Sequence, residues 1–290
     1  MAMDRMKNQT PPNFMGLSDE FSGYKTSKIV ILPVPFDKTS TWLKGSDKGP
    51  KAIIDASRNV ELYDIETNSE VYKHGIFTDK EIIADDSSEM IEKTYSKVKN
   101  LLKDNKFVVS LGGEHSISIG PIKAYAELYK DMSILHLDAH SDSRDSYEGS
   151  KHNHACIMAR AREIVKNTVS VGIRSMDSSE LKNIDKDKTF YAHDILKSKD
   201  WIQEATNKLS KNVYITIDLD VFDTGIMPSV GTPEPGGLGW YEVVDLLNNV
   251  AENKNVIGLD VVELLPSGNK APDFLAAKLI YKLLSYRFSK

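Results

Sequence analysis

The stretch Ile134-Leu-His-Leu-Asp-Ala-His-Ser-Asp142 contains the pattern that decides the fold prediction. It begins with a short, mostly apolar run over 134–137 and continues directly into acidic and histidine residues. Short apolar runs without alternation are typical of strands that are buried on both faces of a parallel sheet. Because ligands bind beyond the carboxyl ends of such strands, residues 138–142 are expected at a binding edge.

Five more runs of the same kind recur along the chain, over 29–34, 107–111, 168–173, 213–217 and 256–261. Other segments have the spacing of amphipathic helices, with apolar faces formed by Ile91, Tyr95, Val98 and Leu102, by Val243, Val244, Leu247 and Val250, and by Phe274, Ala277, Tyr281 and Leu284. Alternating strands and helices build βαβ units. The sequence therefore predicts an α/β fold with three αβα layers and a mainly parallel central sheet. This fold is expected to form a single domain over 28–290, preceded by a loose or surface-wrapping arm over 1–27.

Two of the other runs end in polar clusters like the one at 138–142. The run 107–111 leads into Gly112-Gly-Glu-His115, and the run 213–217 leads into Asp218-Leu-Asp220. Residues two apart along an extended chain point to the same side, so the members of a cluster can face one site. A single cluster of this kind is commonly a capped loop or a tight turn. Three of them at strand ends indicate one shared crevice.

Together the clusters offer six candidate metal ligands, which are His115, Asp138, His140, Asp142, Asp218 and Asp220. The set contains imidazoles and carboxylates but no thiolate. It is larger than a single tetrahedral zinc ion needs, and it suits a pair of oxygen-preferring divalent ions such as manganese. Since a carboxylate can bridge two ions roughly 3.5–4 Å apart, the sequence predicts a binuclear site for two divalent metal ions.

The composition argues against several other classes of protein. The 290 residues carry a net charge of −5 without a dense basic run, which disfavours nucleic acid as a partner. No apolar run approaches the roughly 18 residues of a membrane-spanning helix, and residues 1–27 show no signal-peptide pattern. The only cysteine, Cys156, allows no intrachain disulfide and is expected to be a packed thiol. A cytoplasmic enzyme that acts on a small molecule fits these properties.

Three segments, in this order, resemble the metal signatures of the arginase/agmatinase (ureohydrolase) family. They are Gly112-Gly-Glu-His-Ser116, Asp138-Ala-His-Ser-Asp142 and Asp218-Leu-Asp-Val-Phe-Asp223. The similarity extends over most of the chain, because the family's amino-terminal loop, first helix, loop after the third metal motif and last core strand also have counterparts. These are Pro35-Phe-Asp-Lys-Thr39, Gly49-Pro-Lys-Ala-Ile53, Gly231-Thr-Pro-Glu-Pro-Gly-Gly237 and Leu259-Asp-Val-Val-Glu-Leu-Leu-Pro266.

By this resemblance, the chain is expected to hydrolyse a guanidine with water activated between two manganese ions. The resemblance implies that one ion takes His115, Asp138, Asp142 and Asp218, and the other takes Asp138, His140, Asp218 and Asp220. It also implies that the carboxylates of Asp142 and Glu263 hold the cationic guanidinium, Glu263 being the family's substrate-binding glutamate. The family forms trimers and hexamers, so a homo-oligomer is expected.

The leaving amine needs a proton, because an amide-like anion is a very poor leaving group. His154, 12 residues after Asp142, matches the family's proton-delivering histidine, and His152 is the competing candidate. Thr232 is expected either to contact the substrate or only to stabilise the turn in which it lies. His136 lies inside an apolar run and is expected to support a ligand or the core rather than to bind a metal.

The loop after the second metal motif bears on the substrate. Arginases typically have an asparagine two residues after this motif, whereas this chain has Arg144 in a stretch that looks more like agmatinases. The prediction is therefore hydrolysis of agmatine to putrescine and urea, a reaction of polyamine biosynthesis. Asp145 and Glu148 are candidates for holding the distal ammonium of agmatine. Departures from the family pattern at Thr224 and over 228–231 leave hydrolysis of guanidinobutyrate, formiminoglutamate or arginine as alternatives.

Two functions of another kind are alternatives to a hydrolase of this family. A catalytically silent, metal-binding homologue is expected to lack a ligand or His154, and neither is missing. A zinc deacetylase with a related sheet does not require six ligands arranged for two ions.

Overall fold

Eight parallel strands form one sheet in the computed structural model, which describes residues 11–289. In chain order they are β1 Ile29–Val34, β2 Ile76–Thr78, β3 Phe107–Gly112, β4 Ser133–Leu137, β5 Asn167–Ile173, β6 Thr189–Tyr191, β7 Asn212–Asp218 and β8 Asn255–Val262. The six predicted strands are confirmed, each to within one residue at either end. The two strands that were not predicted, β2 and β6, have 3 residues each and lie at the two edges of the sheet. Edge strands are less buried, so their apolar pattern is weaker.

The strands lie in the order β2-β1-β3-β8-β7-β4-β5-β6. β3 and β4 follow one another among the strands along the chain, yet β8 and β7 separate them in space. The direction in which strands are added to the sheet therefore changes at this point, and such a switch opens a crevice at the carboxyl ends of the strands. The carboxyl ends of β3, β8, β7 and β4 are consecutive along this edge, and these four strands lead into the polar clusters and Glu263.

Helices cover both faces of the sheet. They are α1 Asp19–Ser22, α2 Gly49–Ser57, α3 Ser87–Lys103, α4 Ile119–Leu128, α5 Ile157–Ile164, α6 Ala192–Ile195, α7 Trp201–Lys208, α8 Trp240–Asn253 and α9 Ala271–Phe288. Ile29 and Ile31 of β1 point into the core beneath α2, α8 and α9, whereas Val30 and Leu32 point into the core beneath α3, α4 and α5. The three-layer αβα fold with a parallel central sheet is thus confirmed. Within residues 11–289, no helix is both long and apolar enough to cross a membrane.

The predicted apolar face of α8 is buried, and that of α3 is buried at Ile91 and Val98 and half-buried at Tyr95 and Leu102, whereas α9 differs from its prediction. Phe274, assigned to the buried face, is 41% exposed. Most of the remaining helix is buried, because α9 packs between α2 and α8 and so covers two flanks. Its buried Lys282 pairs with Asp64 at 2.9 Å, which satisfies the ammonium inside the protein.

The amino-terminal arm predicted for residues 1–27 lies within the described residues only from Pro11 onwards. In this part Phe14, Met15 and Leu17 are buried in the core beside α2. The backbone N–H of Met15 donates to Ser57 Oγ at 2.8 Å. This part of the arm therefore packs against the core at Phe14, Met15 and Leu17, and the domain boundary at residue 28 stays a prediction.

Candidate metal centre and active site

The six predicted metal ligands lie together beyond the carboxyl ends of the central strands. β3 leads to His115, β4 leads to Asp138, His140 and Asp142, and β7 leads to Asp218 and Asp220. His140 is half-buried. The other five are buried, and they are His115, Asp138, Asp142, Asp218 and Asp220. Buried charges at this density require partners, so their mutual geometry decides what the cluster can bind.

His115 lies at the centre of the first ligand set. Its Nδ1 atom is 3.2 Å from Asp138 Oδ2, 3.3 Å from Asp142 Oδ2 and 3.4 Å from Asp218 Oδ2. This buried nitrogen has no hydrogen-bond partner among the described residues. Ligand atoms about 2.1 Å from one ion and at right angles around it are about 3 Å apart. The distances from His115 Nδ1 to the three carboxylates are therefore of the size expected between ligands of one ion.

The other ring nitrogen of His115 is held from behind. His115 Nε2 lies 2.9 Å from Thr216 Oγ1, and the hydroxyl of Thr216 donates to Asp260 Oδ1 at 2.6 Å. Because the single hydroxyl proton goes to the carboxylate, Thr216 accepts from Nε2–H of His115. The lone pair of Nδ1 is then directed towards the three carboxylates, which is the tautomer that a metal ion requires.

We expect Thr216→Val to weaken metal binding about 10–100-fold, the usual effect of losing such a supporting contact. Valine keeps the volume of threonine but no longer accepts the proton of His115 Nε2–H, so the imidazole tautomer is no longer selected. Titration calorimetry with Mn²⁺ measures the change. Thr206→Val, at a buried threonine of α7, is the matched control. Equal Mn²⁺ affinity in the Thr216 variant and the wild type would contradict this assignment.

His140 and Asp220 form the core of the second set. His140 Nδ1 is 2.8 Å from Asp220 Oδ2 and 3.7 Å from Asp138 Oδ1. Backbone amides fix the carboxylates, since the N–H of Ala139 donates to Asp220 Oδ1 at 2.9 Å and the N–H of Asp220 donates to Asp218 Oδ1 at 2.9 Å. Asp138 thus lies next to a histidine of each set, as a bridging carboxylate would.

His136 contacts Asp138 from inside the sheet. Its Nε2 lies 2.7 Å from Asp138 Oδ2 and its Nδ1 lies 3.1 Å from Ser170 Oγ. Although His136 is close enough to His115 and Asp138 to form a group that could hold a metal, both of its ring nitrogens already have partners. The geometry agrees with the supporting role expected for it.

The carboxylates of the site crowd one another. Burial raises the pKa of Asp142 to about 7, and the charge of Asp138 adds to this effect. Burial also raises the pKa of Asp218 well above its ordinary value, as do the nearby Asp220 and Asp138. A buried cluster of carboxylates with an excess of negative charge is stabilised by bound cations. The donor set therefore fits divalent metal ions.

Two of the site residues have backbone conformations that are unusual for side chains with a Cβ. Asp142 has φ 46° and Glu263 has φ 67°, both in the left-handed region. Such conformations cost roughly 1–3 kcal/mol and cluster at functional sites. Both carboxylates line the cavity above the ligand cluster.

A cavity of about 280 Å³ opens above the cluster. The candidate ligands His140, Asp142 and Asp218 line it, as do the predicted site residues His154, Thr232 and Glu263. Trp42, which is 65% exposed, and Asp177 lie at its wall.

The remaining candidates lie away from this cavity. His152 contacts Ser88 at 3.4 Å and is not among the described lining residues. Asp145 pairs with Arg160 at 2.7 Å, and Glu148 lies in an exposed turn. Cys156 is buried as expected, and burial raises the pKa of its thiol to about 11.

Some supporting residues were not predicted from the sequence. Glu180 is buried and accepts from the hydroxyl of Ser141 and, at 2.7 Å, from the N–H of Ser143, so it fixes the loop that carries Asp142. Arg174 donates to the carbonyl of Asp220 at 2.6 Å and to that of Glu234 at 2.8 Å, joining two site loops. Nothing in the local sequence marks either residue, because each acts on a distant segment.

Two other supporting residues, Asp260 and Thr216, do have a signal in the sequence. Asp260 is a charged residue inside the apolar strand β8, and Thr216 precedes Asp218 by two positions on the same side of β7.

Comparison with known proteins agrees with this geometry. The sequence profile of the Arginase family matches residues 27–285. The chain belongs to the arginase family. This arginase-family chain is 37% identical over 286 residues to the N(1)-aminopropylagmatine ureohydrolase of Synechocystis sp., with 93% of this chain and 92% of that protein covered. It is 31% identical over 267 residues to the agmatinase of Pyrococcus horikoshii, with 90% and 92% covered.

A solved structure also supports the family assignment. The agmatine ureohydrolase of Thermoplasma volcanium has a TM-score of 0.87 to this arginase-family chain at 33% identity, covering 96% of this chain and 95% of that one. The family resemblance predicted from the metal motifs is confirmed. The chain is thus a ureohydrolase of the arginase family, with a cluster of histidine and aspartate side chains that can hold metal.

Proposed function

We propose that this protein hydrolyses the guanidino group of agmatine to give putrescine and urea, with two Mn²⁺ per chain. One observation carries the proposal. The unpartnered Nδ1 of His115 faces three carboxylates at 3.2–3.4 Å, beneath a cavity that Glu263 and His154 also line. When bound there, the metal pair supplies Lewis acidity that activates water near neutral pH.

Glu263 is oriented to hold the guanidinium group. Its Oε1 accepts the backbone N–H of His115 at 2.8 Å, which fixes the carboxylate relative to the metal cluster. Its Oε2 lies towards Gly231, where a side chain would bring a Cβ to 3.6 Å from that oxygen. Because Asp142 lines the same cavity, the two carboxylates can hold a planar cation by charge-assisted hydrogen bonds.

His154 is suited to move a proton between water and the leaving amine. Burial lowers the pKa of its imidazole to about 4, so the ring is neutral near pH 7 and can first accept a proton. The attacking water loses that proton as its oxygen bonds to the guanidino carbon. The imidazolium then protonates the amine nitrogen while its bond to carbon breaks, and the proton left on the former water oxygen passes to the departing amine, so that urea and an alkylammonium ion are released.

A second candidate substrate is N(1)-aminopropylagmatine, which carries a further cationic arm beyond the butyl chain. The relatives with this name include proteins that are 37% and 36% identical to the chain. At the cavity wall, the exposed indole of Trp42 is available to such a cation, and Asp177 adds a carboxylate that already lies 3.8 Å from Arg144.

The substrate is tested by comparing urea release from several guanidino compounds with added Mn²⁺. We expect kcat/KM for agmatine or for N(1)-aminopropylagmatine to exceed that for arginine at least about tenfold. The reason is that Arg144, at the position of the arginase asparagine, already pairs with Asp177 at 3.8 Å and with Glu180 at 3.7 Å and is not free for an α-carboxylate. A higher value for the aminopropyl compound than for agmatine favours the second candidate. Arginine as the preferred substrate would refute both.

Metal content of the purified protein is an independent test. About two Mn²⁺ per chain are expected from the two ligand sets, whereas one tightly held zinc ion would count against the binuclear site.

A further inference from the structure

A second cavity, of about 420 Å³, lies beside α5 and shares no described lining residue with the cavity above the metal cluster. Most of the side chains that line it are charged, and the basic ones outnumber the acidic ones. The basic residues are Arg160, Arg162, Lys166 and Lys182, and the acidic residues are Asp145 and Glu163. The wall of this cavity therefore carries an excess of two positive charges, which favours an anion as its ligand.

Arg162 is half-buried and has no carboxylate within ion-pair distance among the residues that the structure describes. Its Nε donates to Thr168 Oγ1 at 3.2 Å, and its Nη1 donates to Ser143 Oγ at 2.6 Å. Its Nη2 has no hydrogen-bond partner in the described part of the chain. Burial lowers the pKa of the guanidinium, and the more distant Asp185 and Glu180 only oppose this effect. Since a guanidinium has five N–H donors, Arg162 keeps unused donors and an unpaired charge.

The other basic groups of this cavity also have donors without partners. Arg160 is 7% exposed, and its Nη atoms pair with Asp145 and Glu163. Its Nε is nevertheless buried with no partner among the described residues. Lys166 and Lys182 are exposed, and neither has an ion-pair partner within residues 11–289. The unused donors thus belong to several side chains, which suits a ligand with several oxygen atoms.

The cavity adjoins the loop that follows Asp142. Both Arg162 and Asn183, which lines the cavity, donate to Ser143, the latter from Nδ2 to the carbonyl at 2.8 Å. These contacts hold the guanidinium of Arg162 in place before any ligand arrives. Only the folded chain brings Arg162 and Asn183 together with the lysines, so a ligand of this cavity binds the folded state and stabilises it.

We propose that this cavity binds a phosphate group, either as inorganic phosphate or as part of a small phosphate ester. A phosphate group carries a charge of about −1.5 to −2 at pH 7, which matches the excess of two positive charges. Its oxygens can accept from the guanidinium of Arg162 and from the ammonium groups of Lys166 and Lys182 by charge-assisted hydrogen bonds. A carboxylate brings one charge and two oxygens and matches the cavity less well. The site does not rest on the proposed function.

Equilibrium dialysis of the purified full-length protein with radiolabelled inorganic phosphate measures this binding. We expect saturable binding of about one phosphate per chain. Lys182→Gln is expected to weaken the affinity about tenfold, and Lys166→Gln with Lys182→Gln to weaken it further, because each removes a charged donor. Both lysines are exposed, so their variants leave the contacts of Arg162 intact. The matched control is Lys186→Gln, at an exposed lysine four residues further along that is not among the described lining residues.

Arg162→Gln should abolish phosphate binding, and phosphate should raise the melting temperature of the wild type and of Lys186→Gln but not of the double lysine variant. Equal phosphate affinity in the wild type and the double variant would overturn the proposal, since the ion would then be held elsewhere, for example at the metal centre. Absence of saturable binding, or acetate binding as tight as that of phosphate, would also overturn it. Glycerol 3-phosphate distinguishes the two sources. Tighter binding of this ester than of inorganic phosphate supports an ester as the ligand, and the reverse supports the free ion.

Discussion

Asp138→Asn is expected to lower metal-dependent urea release by at least about a thousandfold, equivalent to about 4 kcal/mol of transition-state stabilisation. Asp138 is the carboxylate shared by the two ligand sets, since its Oδ2 lies 3.2 Å from His115 Nδ1 and its Oδ1 lies 3.7 Å from His140 Nδ1. Its two oxygens also accept from His136 and from the N–H of His140. An amide has only one acceptor oxygen, so its NH₂ group must face a donor or a metal position.

The measurement is urea release together with metal content, because both ions should be lost at once. Asp131→Asn is a matched control, since Asp131 is an exposed carboxylate that precedes β4 just as Asp138 follows it. The control should retain both activity and metal. Near-normal activity, or the loss of only one ion, in Asp138→Asn would refute the bridging role.

His154→Asn is expected to lower kcat about 10²–10⁴-fold, the range for losing a general acid or base, with little change in KM. The reason is that His154 lines the cavity while the guanidinium is held elsewhere, by carboxylates such as Glu263. Metal content should stay at the wild-type value, because the six candidate ligands are intact. Steady-state kinetics with the preferred guanidino substrate gives the two constants separately.

The matching control is His152→Asn, two residues away and half-buried against Ser88. It should behave as wild type, because His152 does not line the cavity. A large loss of kcat in the His152 variant with none in the His154 variant would assign the proton transfer to the other histidine.

The central strands and the ligand list were predictable from the sequence because both are local patterns. An apolar run such as 213–217 is long enough to indicate a buried strand, and the acidic residues after it, Asp218 and Asp220, mark its carboxyl end. The short edge strands β2 and β6 were not predictable, since 3 residues carry no periodicity. Phe274 was assigned to a buried face although its neighbours in space leave it exposed.

The side chains that orient the ligands were less accessible to sequence reasoning. Thr216 supports His115 from 101 residues away, and Glu180 supports Ser143 from 37 residues away. A hydroxyl or a carboxylate that hydrogen-bonds across such distances leaves no local pattern, because its partner is selected only when the strands and loops pack together.

The stretch 134–142 thus determined by itself that a buried strand ends in metal-binding side chains, and its repetition at two other strand ends determined the six candidate ligands. Only the tertiary structure decided which strands are neighbours, because the crossover that places β8 and β7 between β3 and β4 is not a local property. The same crossover decided which groups face each ligand. Thr216 behind His115 and Thr39 beside His154 are set by packing, since a side chain's hydrogen-bond partner depends on its neighbours in space and not on its neighbours in the chain.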